Sequence, residues 1–444
     1  MPKFLRPIAP VAAAIYAAFF AAASPGTLSQ QLDDYLSSRL GRSDFSGVVL
    51  VEKRGSILLD RGYGLADYES NVPNDDRRIY RIGSLSKPFT AVATMKLQEE
   101  GKLKIDDPLC AYLTACPPAW SPVSLRHLLS HTSGIDDYFS TVAAGPLSSM
   151  RQLIDAAIQA HHESPLLSPP GRTHRYNNFG FLLLGYVVEV AAKQPWETVL
   201  RTRVFDPAGM NNTAYDDVFA IVPGRARGYT RSSDGLHNIV YKDHGAFAAG
   251  GLRSTALDLL AWQHALVSGR ILRRDSLDVM FTPVRDNYAL GWQVMKFFDR
   301  AVIDHSGGID GFASHLAFYP DEDLVIVVLS NVESEPAKTT ACDLARIVFG
   351  SGVPVLNPAP VVELSPEVLD RFTGTFGDDE VTREIVRDGR VLYYVRAGSR
   401  SPLTALAPGR FVANRSLFLA FDASAGSFAI TDGCGSPVAT MRRR

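Results

Sequence analysis

The chain has 444 residues, 46% hydrophobic and 21% charged, with a formal charge of −2. That length predicts two or three domains, and the composition excludes wholesale disorder. The near-neutral charge, with no basic stretch beyond residues 442–444, excludes a polyanion-binding surface, so no nucleic-acid partner is expected.

The chain opens on "MPKFLRPIAPVAAAIYAAFFAAASPG". Lys3 and Arg6 form a basic start, residues 11–22 an apolar run, and Ala21-Ala22-Ala23 a small-residue cleavage site, so residues 1–23 read as a signal peptide. An uncleaved anchor is the alternative, but the run is short for a span and ends in small residues. A periplasmic or secreted mature protein without a stable membrane span is expected. Next, residues 45–64 alternate as two strands around "KRGS", a predicted hairpin. In "RIGSLSKPFTAVATMKLQEEG" a helix is predicted over 88–100, with Gly101 closing it and Ser84 and Lys87 at its mouth. Cys110 and Cys116 bracket "CAYLTAC" closely enough for a small disulfide loop in an oxidising compartment, the alternative being two separately buried thiols.

Further helices are predicted over 124–129, 150–161, 179–192 and 255–268, the last opened by a Thr255-x-x-Asp258 capping box. "RAVIDHSGG", "HLAFYP" and "LVIVVLSN" read as strands, the third apolar throughout and so buried on both faces. A helix over 336–349 follows, then a Pro/Gly linker without periodicity. Neither strand group could form a stable sheet alone, so the N-terminal and C-terminal strands are expected to pair across the helical region between them. The predicted fold is α/β, of α+β type: an antiparallel sheet flanked by helices, with a helical subdomain. The last 81 or so residues, with short alternating runs such as "VLYYVRAG" and "SLFLAFD", predict a small all-β sandwich or barrel.

Residues three apart on a helix are neighbours, so Ser84 and Lys87 can meet. A desolvated lysine can take a serine proton, and the helix N-terminus favours a developing oxyanion. Alone, S-x-x-K is a common chance pattern, and a helix cap would explain it. Two later segments change its weight: Tyr176-Asn177-Asn178 heads an apolar helix, and His305-Ser306-Gly307 ends a predicted strand. S-x-x-K, Y-x-N and [K/H]-[S/T]-G in that order resemble the serine β-lactamase and penicillin-binding-protein superfamily, in its class C β-lactamase, DD-peptidase, D-aminopeptidase and esterase branch. "LRHLLSHTSGI", "GGLRSTALDLLAW" and "HSGGIDGFASHLAFYP" add to the resemblance, which covers about residues 32–349.

The resemblance implies roles. Ser84 would be the acylated nucleophile, Lys87 its proton partner and Tyr176 the second acid or base. Asn178 would bind the substrate amide and Lys87. His305, Ser306 and Gly307 would form the strand beside the substrate, and the N–H groups of Ser84 and Gly308 the oxyanion hole. A base near neutrality requires either a lowered Tyr176, if Lys87 stays charged, or a desolvated Lys87; both remain open at this level. Asn177 stands where serine is commoner, and His305 where most β-lactamases of the branch have lysine. A histidine is only partly charged near neutrality and so a weaker carboxylate anchor. That fits a carboxypeptidase, aminopeptidase or esterase better than a β-lactamase. Specificity would sit in cleft loops such as 136–148 and 230–245.

Competing sites are weaker. His127 and His131 lack the glutamate of a zinc-binding helix, and the family phrase makes His131 a loop-packing residue. His161-His162-Glu163 reads as a solvated helix end, and no G-x-S-x-G elbow occurs. The chain therefore reads as residues 1–23 leader, 24–350 serine hydrolase domain, 351–363 linker and 364–444 β-domain. The expected activity is hydrolysis, without metal or cofactor, of an amide or ester in a small-molecule or peptide substrate, foremost a D-amino-acid-containing peptide. A β-lactamase and a catalytically silent binding protein on the same fold are the alternatives.

Overall fold

The computed structural model describes residues 27–40, 45–138, 149–232, 235–240, 245–333, 337–351, 362–377, 382–396, 399–413, 417–422, 424–432, 434 and 437–444. The leader, most of the linker and parts of both cleft loops lie outside the described residues. The chain divides into two compact units at Ala337/Lys338. No helix among the described residues is long and apolar enough to cross a membrane.

In the first unit, helix α1 (Thr27–Leu40) precedes a hairpin of β1 (Gly47–Lys53) and β2 (Ser56–Tyr63). Arg54 and Gly55 turn it with φ of 51° and 76°, both left-handed, which suits the twist of the flanking strands. The helical region follows, with α2 (Ser86–Glu99), α3 (Leu125–Leu129), α4 (Met150–Ala160), α5 (Asn178–Ala192) and α6 (Ala256–Val267). The chain then returns as β3 (Gln293–Phe297), β4 (Arg300–Ile309), β5 (Phe312–Tyr319) and β6 (Leu324–Ser330).

These strands form one antiparallel sheet in the order β3-β4-β5-β6-β1-β2. Its seam joins the two strand groups: β1 pairs with β6 from Gly47 opposite Ser330 to Lys53 opposite Leu324. Every residue of β6 is buried, which explains its unbroken apolar run. One core holds residues from this sheet, among them Val48, Leu316 and Val327, together with Phe89 and Val92 of α2 and Leu182 and Leu183 of α5. Phe89 stacks on Trp262 with ring centroids 3.8 Å apart. Helix α5 is apolar over most of its length, and its residues from Phe179 to Val188 are all buried in the core. Thr255 caps α6 by accepting the Asp258 N–H at 3.1 Å, while the Asp258 carboxylate accepts from Asn212 and Thr213 instead of completing the box. Sequence patterning missed a small three-stranded sheet formed by Tyr80–Arg81, Leu252–Ser254 and Ala214–Tyr215, whose pieces are too short to show a period.

The second unit begins one residue into α7 (Ala337–Val348), which precedes an eight-stranded antiparallel meander running from Gly374–Gly377 to Pro437–Arg442. A bridge between Phe376 and Arg443 brings its first and last strands together, so the sheet is nearly closed around Phe376, Phe411, Leu419 and Phe428. Two disulfides form: Cys110–Cys116, and Cys342–Cys434, which ties α7 to the barrel inside the second unit.

Candidate active site

Ser84 lies in a single 3-10 turn, Gly83–Leu85, that runs directly into α2. Two glycines let this turn lie backbone against backbone on β4. Gly83 has φ +51°, and a Cβ there would stand 2.7 Å from the Gly308 carbonyl oxygen; a Cβ on Gly307 would stand 1.9 Å from the Ile82 oxygen. The Ser314 hydroxyl donates to Ile82 O and the Ser86 hydroxyl to Gly83 O, each at 2.7 Å, and Leu252 N–H donates back to Ser86 at 3.0 Å. The nucleophile candidate is thus fixed against the sheet from both sides, next to Gly308.

Lys87, in the first turn of α2, is completely buried. Its Nζ lies 3.0 Å from Ser84 Oγ, 2.8 Å from Asn178 Oδ1 and 2.8 Å from the Ala249 carbonyl oxygen. A neutral amine has two N–H groups and one lone pair. Asn178 Oδ1 and the Ala249 carbonyl take the two N–H groups, which leaves the lone pair to accept the Ser84 proton. Burial pulls the Lys87 pKa down to about 7, opposed by the negative charge of Asp137.

Asp137 also sets the Asn178 amide. Its Oδ2 accepts the backbone N–H and the Nδ2 of Asn178 at 3.1 and 3.2 Å, and its Oδ1 accepts the Phe179 N–H at 3.0 Å. With Nδ2 so engaged, Oδ1 of Asn178 faces Lys87. Asn177 is the N-cap of α5, accepting the Gly180 N–H at 2.7 Å and donating to Ile135 O at 2.6 Å. Its place in the motif is therefore structural. Tyr176, just before the cap, places its ring 4.7 Å from Lys87 Nζ and is hydrogen-bonded to Ser84. Although 41% of the residue is open to solvent, burial around the hydroxyl pushes its pKa up, against the lowering effect of the Ser84 hydrogen bond. Lys87 is thus the group tuned towards neutrality.

Ser84, Lys87, Tyr176 and Asn178 therefore come together, with Gly307 and Gly308 alongside. His305 and Ser306 belong to the same strand, but their side chains turn to opposite faces. His305 is only 4% exposed. Its Nε2 meets the Tyr288 hydroxyl at 3.0 Å and its Nδ1 the Ser306 carbonyl at 2.7 Å. Ser306 Oγ lies 2.8 Å from His315 Nδ1 on β5, and His315 Nε2 lies 3.9 Å from Asp304 Oδ2. Sequence reasoning missed Asp137, Tyr288 and His315, and no local pattern marks them. His131 packs as expected, but its ring also lies 4.4 Å from that of Tyr176 and bonds to Asn177 and Tyr288. His127 Nδ1 accepts the Ser124 N–H at 3.1 Å and so caps α3.

Comparison with known proteins places this geometry. The chain is 26% identical over 391 residues to penicillin-binding protein 4* of Bacillus subtilis, covering 80% of this chain and 85% of that protein. It is 27% identical over 313 residues to the teichoic acid D-alanine hydrolase of Staphylococcus aureus, covering 68% and 74% of the two chains. Among solved structures, the octameric penicillin-binding protein homologue from Pyrococcus abyssi superposes with a TM-score of 0.68 at 22% identity, over 93% of this chain and 99% of that one. The family model described as Beta-lactamase matches residues 32–349, the stretch that holds Ser84, Lys87, Tyr176 and His305, and the chain belongs to that family, within the serine β-lactamase and penicillin-binding-protein superfamily.

Proposed function

We propose that the protein is an exported serine hydrolase that forms an acyl-enzyme at Ser84 and hydrolyses an amide or ester bond of a D-amino-acid-containing substrate. One observation carries this reading: Lys87 Nζ sits 3.0 Å from Ser84 Oγ in surroundings that bring its pKa to about 7. At neutral pH a large fraction of Lys87 is then an uncharged amine, able to take the Ser84 proton as Oγ attacks the substrate carbonyl. The N–H groups of Ser84 and Gly308 receive the oxyanion. As the bond to the leaving group breaks, the proton held by Lys87 passes through the Tyr176 hydroxyl to that group. Water then repeats the sequence in reverse and frees Ser84. Asn178 holds Lys87 and the substrate amide.

The D-alanine hydrolase relative supports the substrate class. Export is supported by the leader pattern and by two disulfides, which need an oxidising compartment to persist. The deciding experiment is active-site mass spectrometry after treatment with a fluorophosphonate and a labelled penicillin, beside a turnover screen of D-alanyl esters and amides. Label on Ser84 and turnover that Ser84→Ala abolishes are expected. Absence of both label and Ser84-dependent turnover overturns the reading.

A further inference from the structure

One buried chain of hydrogen bonds has its proton positions set from its end. The backbone N–H of Asn177 can only donate, so His131 Nδ1, 3.1 Å away, accepts. His131 then holds its proton on Nε2 and donates to the Tyr288 oxygen at 3.1 Å. Tyr288 is enclosed by the protein and donates its own proton to His305 Nε2 at 3.0 Å. His305 Nδ1 donates in turn to the Ser306 carbonyl at 2.7 Å. Each imidazole therefore carries one proton, and each ring nitrogen has one role. A second proton on His305 would lie between Nε2 and the Tyr288 oxygen and would push the Tyr288 proton off its acceptor, at the cost of a buried, unmade hydrogen bond.

The surroundings act in the same direction. Among the described residues, the titratable groups around the chain include His174, whose ring is 5.2 Å from that of Tyr288, Tyr176 beside His131, Lys87 beyond, and two acids, Asp286 acting on His174 and Asp137 acting on Tyr176 and Lys87. Burial above all, and then the positive charge that Lys87, His174 and His305 carry when protonated, hold His131 well below the usual histidine range. Asp304, the neighbouring acid on β4, faces His315 on the opposite side of the strand. Ser306 pairs with that same His315.

We propose that His305 is held as a neutral imidazole turned into the fold, a positioning residue for β4, and that the cleft therefore takes amides and esters whose leaving group lacks a carboxylate in preference to peptides ending in a free carboxylate. A lysine at this position would offer a cation to such a carboxylate. Here the hydrogen-bonding capacity of the side chain is consumed by Tyr288 and the backbone. The inference rests on the acyl-enzyme reading at Ser84 and names the substrates of that site.

The test compares N-acetyl-D-alanyl-D-alanine with its C-terminal carboxamide, which share the scissile bond. kcat/KM is measured from about pH 5.5 to about pH 8, the range in which an ordinary histidine titrates. The wild type is expected to favour the carboxamide throughout, with a flat ratio. Tyr288→Phe removes the hydroxyl that His305 Nε2 meets, and the ratio should then swing several-fold towards the carboxylate as pH falls through about 6.5. His305→Lys should favour the carboxylate throughout the range. A wild type that prefers the carboxylate, or whose ratio already swings like that of Tyr288→Phe, overturns the proposal. Should Tyr288→Phe not fold, 15N spectra of histidine-labelled wild type, with His305 assigned through His305→Gln, decide the matter. A neutral Nδ1–H signal persisting to about pH 5.5 supports the proposal, and a doubly protonated His305 there refutes it. That readout needs no turnover, so failure of Ser84 labelling would defeat the acyl-enzyme reading separately.

Discussion

Asp137 Oδ2 receives both nitrogen donors of Asn178, the backbone N–H at 3.1 Å and Nδ2 at 3.2 Å, and so presents the Asn178 oxygen to Lys87 at 2.8 Å. A helix-capping carboxylate thus orients the amide that holds the candidate base, and its charge raises the pKa of that base. Asp137→Asn removes the charge. Lys87 should then deprotonate at lower pH, and the acid limb of kcat/KM should move down with it. The weakened cap and misplaced Asn178 should together lower kcat/KM by about tenfold, or ~1.4 kcal/mol. A pH–rate profile reads both effects, and an unmoved acid limb would show that Asp137 acts only as a cap.

Lys87 itself predicts the shape of that profile. Acylation by a neutral ester needs the uncharged amine, so the rate should rise with pH through about 7 and then level off. Burial drives Tyr176 in the other direction, so it stays protonated and adds no alkaline limb below the ordinary tyrosine range. Lys87→Arg keeps a cation that cannot deprotonate and should lose about 10²–10⁴-fold in acylation rate, measured by stopped-flow ester hydrolysis.

Gly307 and Gly308 are adjacent and chemically identical, yet they should respond differently to alanine. At Gly307 the new Cβ meets Ile82 O at 1.9 Å, whereas at Gly308 it meets nothing within 4 Å. Gly307→Ala should cost about 1–3 kcal/mol or more and shift the turn bearing Ser84. Gly308→Ala should unfold at the wild-type temperature. Thermal denaturation of the pair distinguishes a packing constraint from a general intolerance of the strand.

The Cys342–Cys434 bridge closes a loop across 92 residues of sequence separation. Replacing both cysteines by serine should destabilise the second unit by about 2–5 kcal/mol, since the unfolded chain regains the freedom the crosslink removes. Differential scanning calorimetry with and without reductant measures this, and identical traces would contradict it.

The parts of this protein that are legible in its sequence are those with a local period or a local chemical constraint. The unbroken "LVIVVL" run marks β6 because a strand buried on both faces has no polar side. Ser84 and Lys87 are readable as partners because helical geometry alone brings them together. The pairing of β1 with β6 follows from the inability of either strand group to stand by itself. Asp137, Tyr288 and His315 carry no such mark. Their roles arise from contacts between segments remote in sequence, such as Tyr288 with His131 and His305. The inward turn of His305 is illegible for the same reason: the letters place a histidine on the strand, and only the tyrosine packed beneath determines which way its nitrogens are spent.

The backbone contact between Gly83 and Gly308 has a temporal implication. The turn bearing Ser84 rests on a strand made more than two hundred residues later, and that strand reaches β1 only through β5 and β6, of which β6 ends at Ser330. While the polypeptide is still being synthesised, its early portion has the serine and the lysine but nothing to press them against. The candidate site is therefore assembled only once the returning strands have folded back onto the early portion. A truncated product ending before them would be inert towards any acylating probe, however well its helices had formed.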